Sequence, residues 1–184
     1  MKNITIQDIK DFKISASRFA ALTAYDFNSA QILDASGIPL ILVGDSASMI
    51  MYGYDTTLPI SMDEMLLVVK AVSRGTQRAL VVADMPFLSY QPSLETTINN
   101  AGLFMKQGGA KAVKLEGGQH IMKNIMALVE HGIPVLGHVG LTPQSFHQMS
   151  GYKIQGKSLN EAEKILSDAI AVEKAGAFAV VLEG

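Results

Sequence analysis

Ionisable side chains in this sequence recur at the ends of short apolar runs. Five such groups each lie six to nine residues after a glycine that can close a helix, and they are Asp45, Asp84, Glu116, His138 and Glu183. A short aliphatic run bounded by turn residues is typical of a strand buried on both faces. Because parallel strands end at a common edge, the spacing predicts that all five groups leave the sheet at its carboxyl end, where α/β barrels carry their active sites.

Three of these groups are carboxylates on successive predicted strands: Asp45, Asp84 and Glu116. Three anions at one edge repel each other unless a cation lies among them, and a hard divalent ion such as Mg²⁺ prefers oxygen ligands. We therefore predict a Mg²⁺ site. The alternative for each acid is a solvated strand end or a helix cap. Their recurrence on three strands favours the metal site, since carboxylates are rarely buried unless paired.

Two further residues near these acids could contact a substrate. Lys114 precedes Glu116 by two residues, so both side chains lie on the same side of the strand. A lysine is unfavourable to bury alone, so it either neutralises a substrate carboxylate or developing enolate, or pairs with Glu116 or Asp84. Ser46 follows Asp45 and could hydrogen-bond a substrate carboxylate, although a serine after a strand is also an ordinary turn residue.

The last two strand-end groups, His138 and Glu183, are suited to proton transfer or substrate contact. No second histidine offers metal-ligand spacing with His138, so we interpret it as contacting substrate or supporting the ligands. Glu183 is a fourth carboxylate from a later strand. If it does not bind the metal it is free to act as a general base. The alternative for Glu183 is a helix-capping acid.

The elements that position these groups alternate between strand and helix patterns, which predicts a parallel sheet with helical crossovers. A short amphipathic helix is expected over residues 4–13 and the first of six strands over residues 19–23. Capping boxes begin helices at Ser61 and Ser158. Long loops of the kind that cover binding sites are expected over residues 47–59 and 140–157. We predict one domain over residues 1–184.

Composition excludes several classes of protein. Hydrophobic residues make up 48% and charged residues 17%, which is typical of a globular chain. The net charge of −2, without a basic patch, argues against nucleic-acid or membrane partners. The chain has no cysteine and its first residues lack the apolar core of a signal peptide. We therefore expect a cytoplasmic protein.

Six stretches of the chain resemble the ketopantoate hydroxymethyltransferase family. They follow the family's order and spacing from about Arg18 onwards, and they are Val43–Ser46, Gly53–Pro59, Ala83–Phe87, Val113–Gly118, Gly137–Ser145 and Leu182–Glu183. The chain departs from the family's usual pattern in two loops, at Ala47-Ser48 and Ser150-Gly151. These departures affect loop geometry more than chemistry.

The resemblance implies a (β/α)₈ TIM barrel of the phosphoenolpyruvate/pyruvate superfamily, in a homo-oligomer that is a decamer. It implies one Mg²⁺ per subunit, held through Asp45, Asp84 and Glu116. Substrate contacts would come from Asp45, Ser46, Asp84 and Lys114, and Glu183 would be the proton acceptor.

The resemblance also implies a reaction, which is hydroxymethyl transfer from 5,10-methylenetetrahydrofolate to 3-methyl-2-oxobutanoate, giving 2-dehydropantoate for pantothenate and coenzyme A biosynthesis. The folate is expected under residues 47–59 or near residues 140–157. Eight β/α units need about 250 residues, so with six units we expect a piece of a longer enzyme. Two alternatives remain: another Mg²⁺-dependent carbon–carbon lyase of the superfamily, and a catalytically silent interaction protein.

Overall fold

Six parallel strands form one sheet in the computed structural model, which describes residues 2–184. Each strand pairs with the next one in the chain, so the sheet order is the sequence order. The strands are β1 (Ala21–Thr23), β2 (Leu40–Val43), β3 (Leu80–Asp84), β4 (Ala112–Glu116), β5 (Val135–Gly140) and β6 (Ala179–Glu183). The predicted six-stranded parallel sheet is confirmed, and it forms a half-barrel with β1 and β6 at its edges.

Seven α-helices precede or connect the strands: α1 (Ile6–Ile14), α2 (Phe27–Ala35), α3 (Ala47–Ile50), α4 (Met62–Gly75), α5 (Leu94–Leu103), α6 (Met122–Glu130) and α7 (Leu159–Lys174). Both predicted capping boxes form. Ser61 accepts a hydrogen bond from the Glu64 backbone and Ser158 from the Glu161 backbone, with each glutamate bonded back to its cap. Asp26 caps α2 by accepting the backbone N–H of Ser29. Among the described residues, no helix combines the length and the apolar character that a membrane crossing requires.

The two faces of the sheet pack against different partners, because successive side chains on a strand point to opposite sides. Residues such as Ile41, Val81 and Val113 lie in the main core between the sheet and its helices. The alternate residues face the inside of the half-barrel, where a smaller cluster joins Leu40, Leu80, Val82, Ala112 and Leu136 to Ile9 of α1. Helix α1 therefore covers the inner face, and the ionisable groups of the same rows lie farther along the strands.

Several boundaries differ from the sequence-based expectation. Strand β1 is limited to Ala21–Thr23 and all three residues are exposed, since it is a sheet edge with one partner. Helix α5 is followed directly by a π-helical turn over Phe104–Gly108.

The loop expected over residues 47–59 begins with the short helix α3, whose Ala47 and Ser48 are fully buried. Alanine, methionine and isoleucine are compatible with a helical turn. The Ser48 hydroxyl then donates to the Thr56 carbonyl at 2.8 Å, which ties the rest of the loop back onto α3.

Candidate active site

Strand register brings the predicted groups together at the carboxyl edge of the sheet. Asp84 of β3 lies beside Lys114 of β4. Glu116 lies beside His138 of β5, and Glu183 of β6 lies beside Gly140. These ionisable side chains alternate in phase with the inward apolar row, so they face the inside of the half-barrel. Asp45 follows the end of β2, and its backbone N–H donates to Asp84 Oδ2 at 3.3 Å.

The three predicted acids Asp45, Asp84 and Glu116 form one buried group. Each offers a carboxylate oxygen, and these oxygens all lie within 4.8 Å of one another. All three residues are at most 5% exposed. The predicted convergence of the carboxylates is therefore confirmed, while their role as metal ligands stays a prediction.

Lys114 lies inside this group and pairs with two of its members. Its Nζ donates to both carboxylate oxygens of Asp84 at 2.6 Å and to Glu116 Oε1 at 3.3 Å. Of the two interpretations left open by the sequence, the structure shows the ion pair. Burial lowers the pKa of Lys114, but the charges of Asp84 and Glu116 outweigh it and hold the pKa above its usual value. The lysine is therefore a charged ammonium.

One lysine does not balance three acids, and burial acts on the pKa of each acid. Burial, together with the neighbouring Asp84, raises the pKa of Asp45 well above its usual value. Burial also raises the pKa of Asp84, against the attraction of Lys114. Burial acts the same way on Glu116, but Lys114 and His138 prevail and lower its pKa to about 2. When all of them are ionised, three carboxylates and one ammonium carry a net charge of −2, which a divalent cation would neutralise.

His138 lies between two carboxylates. Its Nδ1 is 3.3 Å from Glu116 Oε1, and its Nε2 is 3.3 Å from Glu183 Oε2. Both ring nitrogens are buried and make no hydrogen bond of acceptable geometry among the described residues. Buried polar atoms are normally satisfied, so this imidazole retains the capacity to bind a further group at the site.

Glu183 stands apart from the acidic group. Its side chain is 45% exposed, in contrast to the buried acids. The backbone is held where β5 ends, because the Leu141 N–H donates to the Glu183 carbonyl at 2.8 Å. Gly140 is required for this approach: its φ is +94° and an added Cβ would lie 2.0 Å from the Glu183 carbonyl oxygen.

Ser46 lies at the start of α3, next to Asp45. Its hydroxyl is 2.7 Å from the hydroxyl of Tyr25, which precedes α2. An added Cβ at Gly44 would lie 2.8 Å from the Ser46 hydroxyl, so a glycine leaves room for this side chain. The serine hydroxyl is therefore fixed by a partner that the sequence pattern did not single out.

Sequence reasoning also missed Gln144 and Tyr90, which are buried among the acids. The Gln144 amide donates to Asp45 Oδ2 at 2.9 Å, and the Tyr90 hydroxyl accepts the Glu116 backbone N–H at 3.2 Å. Both residues follow strands in irregular segments, where neither period nor spacing identifies a side chain that turns inward. The one feature of the sequence that could have identified Gln144 is that it lies within a stretch that resembles the family.

A cavity of about 760 Å³ lies elsewhere, on the side where the chain enters β3 and β4. Lys70, Arg74, Arg78, Lys106 and Lys111 contribute to its lining. Two of these cations, Arg74 and Lys106, lie in the last turn of α4 and of the π-helical turn, where positive charge complements the helix dipole. We therefore assign the chemistry to the acidic edge and not to this cavity.

A parallel half-barrel with a buried acidic group at the carboxyl ends of its strands is the architecture of α/β-barrel enzymes. Solved structures support this class. The chain superposes on phosphonopyruvate hydrolase with a TM-score of 0.72 at 16% identity, covering 97% of this chain and 62% of that one. It superposes on 2,3-dimethylmalate lyase, a PEP mutase/isocitrate lyase superfamily member, with a TM-score of 0.66 at 16% identity, covering 100% and 63%.

Within this class, the chain belongs to the ketopantoate hydroxymethyltransferase family, whose model matches residues 3–184. It is 55% identical over 179 residues to 3-methyl-2-oxobutanoate hydroxymethyltransferase of Dehalococcoides mccartyi, which covers 97% of this chain and 64% of that protein. It is 53% identical over 183 residues to the protein of the same name from Citrifermentans bemidjiense, covering 100% and 68%. The chain thus spans about two thirds of the length of these relatives.

Proposed function

We propose that the protein transfers a hydroxymethyl group from 5,10-methylenetetrahydrofolate to 3-methyl-2-oxobutanoate, giving 2-dehydropantoate in the pathway to pantothenate and coenzyme A. Family membership supports the reaction. The observation that carries its assignment to this site is the buried group of Asp45, Asp84 and Glu116 beside Lys114, with the separate carboxylate of Glu183 across His138. This arrangement offers a cation site and a base at one sheet edge.

The donor set fits a Mg²⁺ ion. Asp45, Asp84 and Glu116 supply hard oxygen ligands at mutually compatible distances. The three carboxylates share one ammonium, that of Lys114, so the group when ionised lacks positive charge on its own. Mg²⁺, when bound, would supply a Lewis acid that stabilises an enolate.

The chain's own residues would carry the remaining steps. Glu183 would remove the proton from the branched carbon of 3-methyl-2-oxobutanoate, which requires a carboxylate outside the metal ligands. Lys114 and Ser46 would hold the substrate's carboxylate and oxo group, with His138 completing that surface. A carbon–carbon bond would then form to the one-carbon unit. Both bonds from that carbon to the two folate nitrogens would break, and water would provide the hydroxyl oxygen. The proton taken from the oxo acid and one proton of the water would end on those two nitrogens.

Closure of the half-barrel by two more β/α units would give a (β/α)₈ barrel and one domain. We infer this from the fold neighbours and from the longer relatives. Tetrahydrofolate would occupy the space beside residues 47–59 or residues 140–157. A cytoplasmic homo-oligomer, a decamer by family resemblance, completes the proposal.

The proton-transfer role is tested by Glu183→Gln in the protein at its full natural length. The amide keeps the shape of the side chain but cannot accept a proton, so binding of oxo acid and metal persists. Exchange of the branched-carbon proton with deuterated water, followed by NMR, is lost. Glu173→Gln, on the exposed surface of α7, is the matched control. Undiminished exchange in Glu183→Gln would assign deprotonation to another group.

The rival reactions are distinguished by ligand binding and turnover. A carbon–carbon lyase of the same superfamily would use the acids but not folate, so calorimetry with tetrahydrofolate separates it from the proposed transferase. An interaction protein without catalysis would form no 2-dehydropantoate in a coupled assay with both substrates and Mg²⁺.

A further inference from the structure

Gln144 makes more contacts with the acidic group than any predicted site residue except Lys114. It lies in the 3₁₀ turn Pro143–Ser145 after β5, and it is 6% exposed. Its backbone N–H donates to Glu116 Oε2 at 3.0 Å, and its side-chain amide donates to Asp45 Oδ2 at 2.9 Å. One residue therefore bridges two of the three carboxylates from a loop that belongs to neither of their strands.

The Gln144 side chain has only one orientation that satisfies its neighbours. Besides Asp45, its NH₂ group donates to the Met85 carbonyl oxygen at 2.8 Å, and a carbonyl can only accept. Its Oε1 accepts from the hydroxyl of Tyr90 at 2.9 Å and from the amide of Gln91 at 3.2 Å. A flipped amide would set two acceptors against each other at Met85. The side chain is thus fixed by its own hydrogen bonds.

Tyr90 extends this support to Glu116. Its hydroxyl lies 2.9 Å from both Gln144 Oε1 and the Glu116 carbonyl, and it accepts the Glu116 N–H at 3.2 Å. The Tyr90 carbonyl is in turn held by Thr97 of α5 at 2.7 Å and by Asn124 of α6 at 2.8 Å. The phenol is 1% exposed, and burial raises its pKa above the usual value, so it remains a neutral hydroxyl.

We propose that Gln144 is a positioning residue that orients Asp45 and Glu116 to receive a divalent cation, with Tyr90 acting through it. The inference rests on the proposed function, since it assumes that the three acids bind a metal. A neutral amide suits this task, because it anchors one oxygen of Asp45 without neutralising the charge that attracts the cation. A second cation here, in addition to Lys114, would reduce the negative charge that attracts the metal.

The test measures Mn²⁺ and Mg²⁺ binding by calorimetry on Gln144→Met in the protein at its full natural length. Methionine keeps the length and apolar volume of glutamine but removes the amide NH₂ that donates to Asp45 and Met85 and the oxygen that accepts from Tyr90 and Gln91. The backbone N–H to Glu116 remains. Loss of a residue that orients metal ligands typically weakens metal affinity or activity by about 10–100-fold, and we expect a fall of that size. Gln31→Met, an exposed position on α2, is the matched control and should bind as the wild type does.

A purely structural role would give a different result. It would lower the melting temperature of Gln144→Met but leave the metal affinity of the folded protein unchanged, which would overturn the proposal while the proposed function stands. Absence of metal binding by the wild type would overturn both. Reduced metal affinity in Gln144→Met, with unchanged affinity in the control, supports the proposal. The hydroxymethyl transfer is tested separately by its own assay.

Tyr90→Phe provides a second variant that retains the buried ring, and it keeps the proposal testable if Gln144→Met does not fold. In this variant Gln144 Oε1 still accepts from the Gln91 amide but no longer from Tyr90. We therefore expect a smaller loss of metal affinity than in Gln144→Met. In the double variant, the added effect of Tyr90→Phe should be smaller than in the wild type, since Tyr90 reaches Asp45 through the Gln144 amide. Strictly multiplicative effects would contradict action through Gln144.

Discussion

Replacing Lys114 by methionine removes the cation that the structure places among three buried acids. The ammonium touches Asp84 at 2.6 Å and Glu116 at 3.3 Å, and it is 3% exposed. In the variant, the carboxylates retain ligand oxygens within 4.8 Å of one another but have no buried cation between them. We expect the free energy of unfolding to fall sharply in metal-free buffer.

The size of this loss follows from burial and distance. Two unit charges about 4 Å apart attract by ~4 kcal/mol at an effective dielectric constant of about 20. Removal of one partner from a buried ion pair is destabilising by about 3–5 kcal/mol, since the remaining charge is left uncompensated. Domains have total stabilities of about 5–15 kcal/mol. Lys114→Met should therefore be close to unfolding without added metal.

A divalent cation should recover part of that stability. A ligand that binds only the native state at about 100 times its dissociation constant adds about 2.7 kcal/mol. The gain from Mg²⁺ should be larger in Lys114→Met than in the wild type, because the variant has one more uncompensated charge. Enzyme activity should not return, since the proposed contact with the oxo acid is lost.

The assay is urea unfolding followed by circular dichroism, with and without Mg²⁺. Lys111→Met is the matched control, because Lys111 is exposed and only three residues away. It should unfold as the wild type does under both conditions. An equal loss of stability in the two variants, or a Lys114→Met protein indifferent to Mg²⁺, would refute the charge balance described for this site.

Three further predictions concern pH, substrate affinity and association. Burial raises the pKa of Asp45 above its usual 3.8, so the stability that this carboxyl contributes is complete below that value and lost as pH rises through the raised pKa. Differential scanning calorimetry of metal-free protein should show a higher melting temperature at about pH 5 than at about pH 8, and saturating Mg²⁺ should remove the difference. Tyr25→Phe removes the 2.7 Å contact to Ser46, and steady-state kinetics should show KM for the oxo acid rising about fivefold with kcat nearly unchanged, as expected for one neutral hydrogen bond. Residues 1–184 expressed alone should self-associate in sedimentation velocity, because β1 and β6 each have an unpaired edge in the described chain; a cooperatively unfolding monomer would contradict this.

The positions of the strand-end groups could be predicted because they depend on two regular features. Parallel strands share an edge, and side chains two apart share a face, which is why Lys114 and Glu116 point inward together. The sequence of neither strand predicts the register that places Asp84 beside Lys114. The choice between an ion pair and a free substrate-binding lysine therefore required the structure.

The hydrogen-bond partners of the acids could not be predicted, because they come from irregular segments. Gln144 reaches Asp45 across 99 positions of sequence, from a turn whose shape is set partly by Pro143. Tyr90 reaches Glu116 across 26 positions. No local sequence pattern predicts a contact between residues so far apart in the chain. Helix α3 was also not predicted, because its buried small residues Ala47 and Ser48 lie in a stretch that the sequence indicated only as a loop.

The division of roles that we propose for the acids agrees with where their strands lie in the sheet. Asp84 and Glu116 end the central strands β3 and β4, and Asp45 follows β2, so all three are buried and held at fixed separations, as a rigid cation site requires. Glu183 ends β6 at the sheet edge and is 45% exposed. A carboxylate that must accept and release a proton needs contact with substrate and solvent, which a fully buried acid lacks. His138 on the intervening strand is 3.3 Å from an acid on each side. The same strand order that brings three carboxylates together for a cation thus leaves the carboxylate of Glu183 outside that group, in the position that a base would occupy.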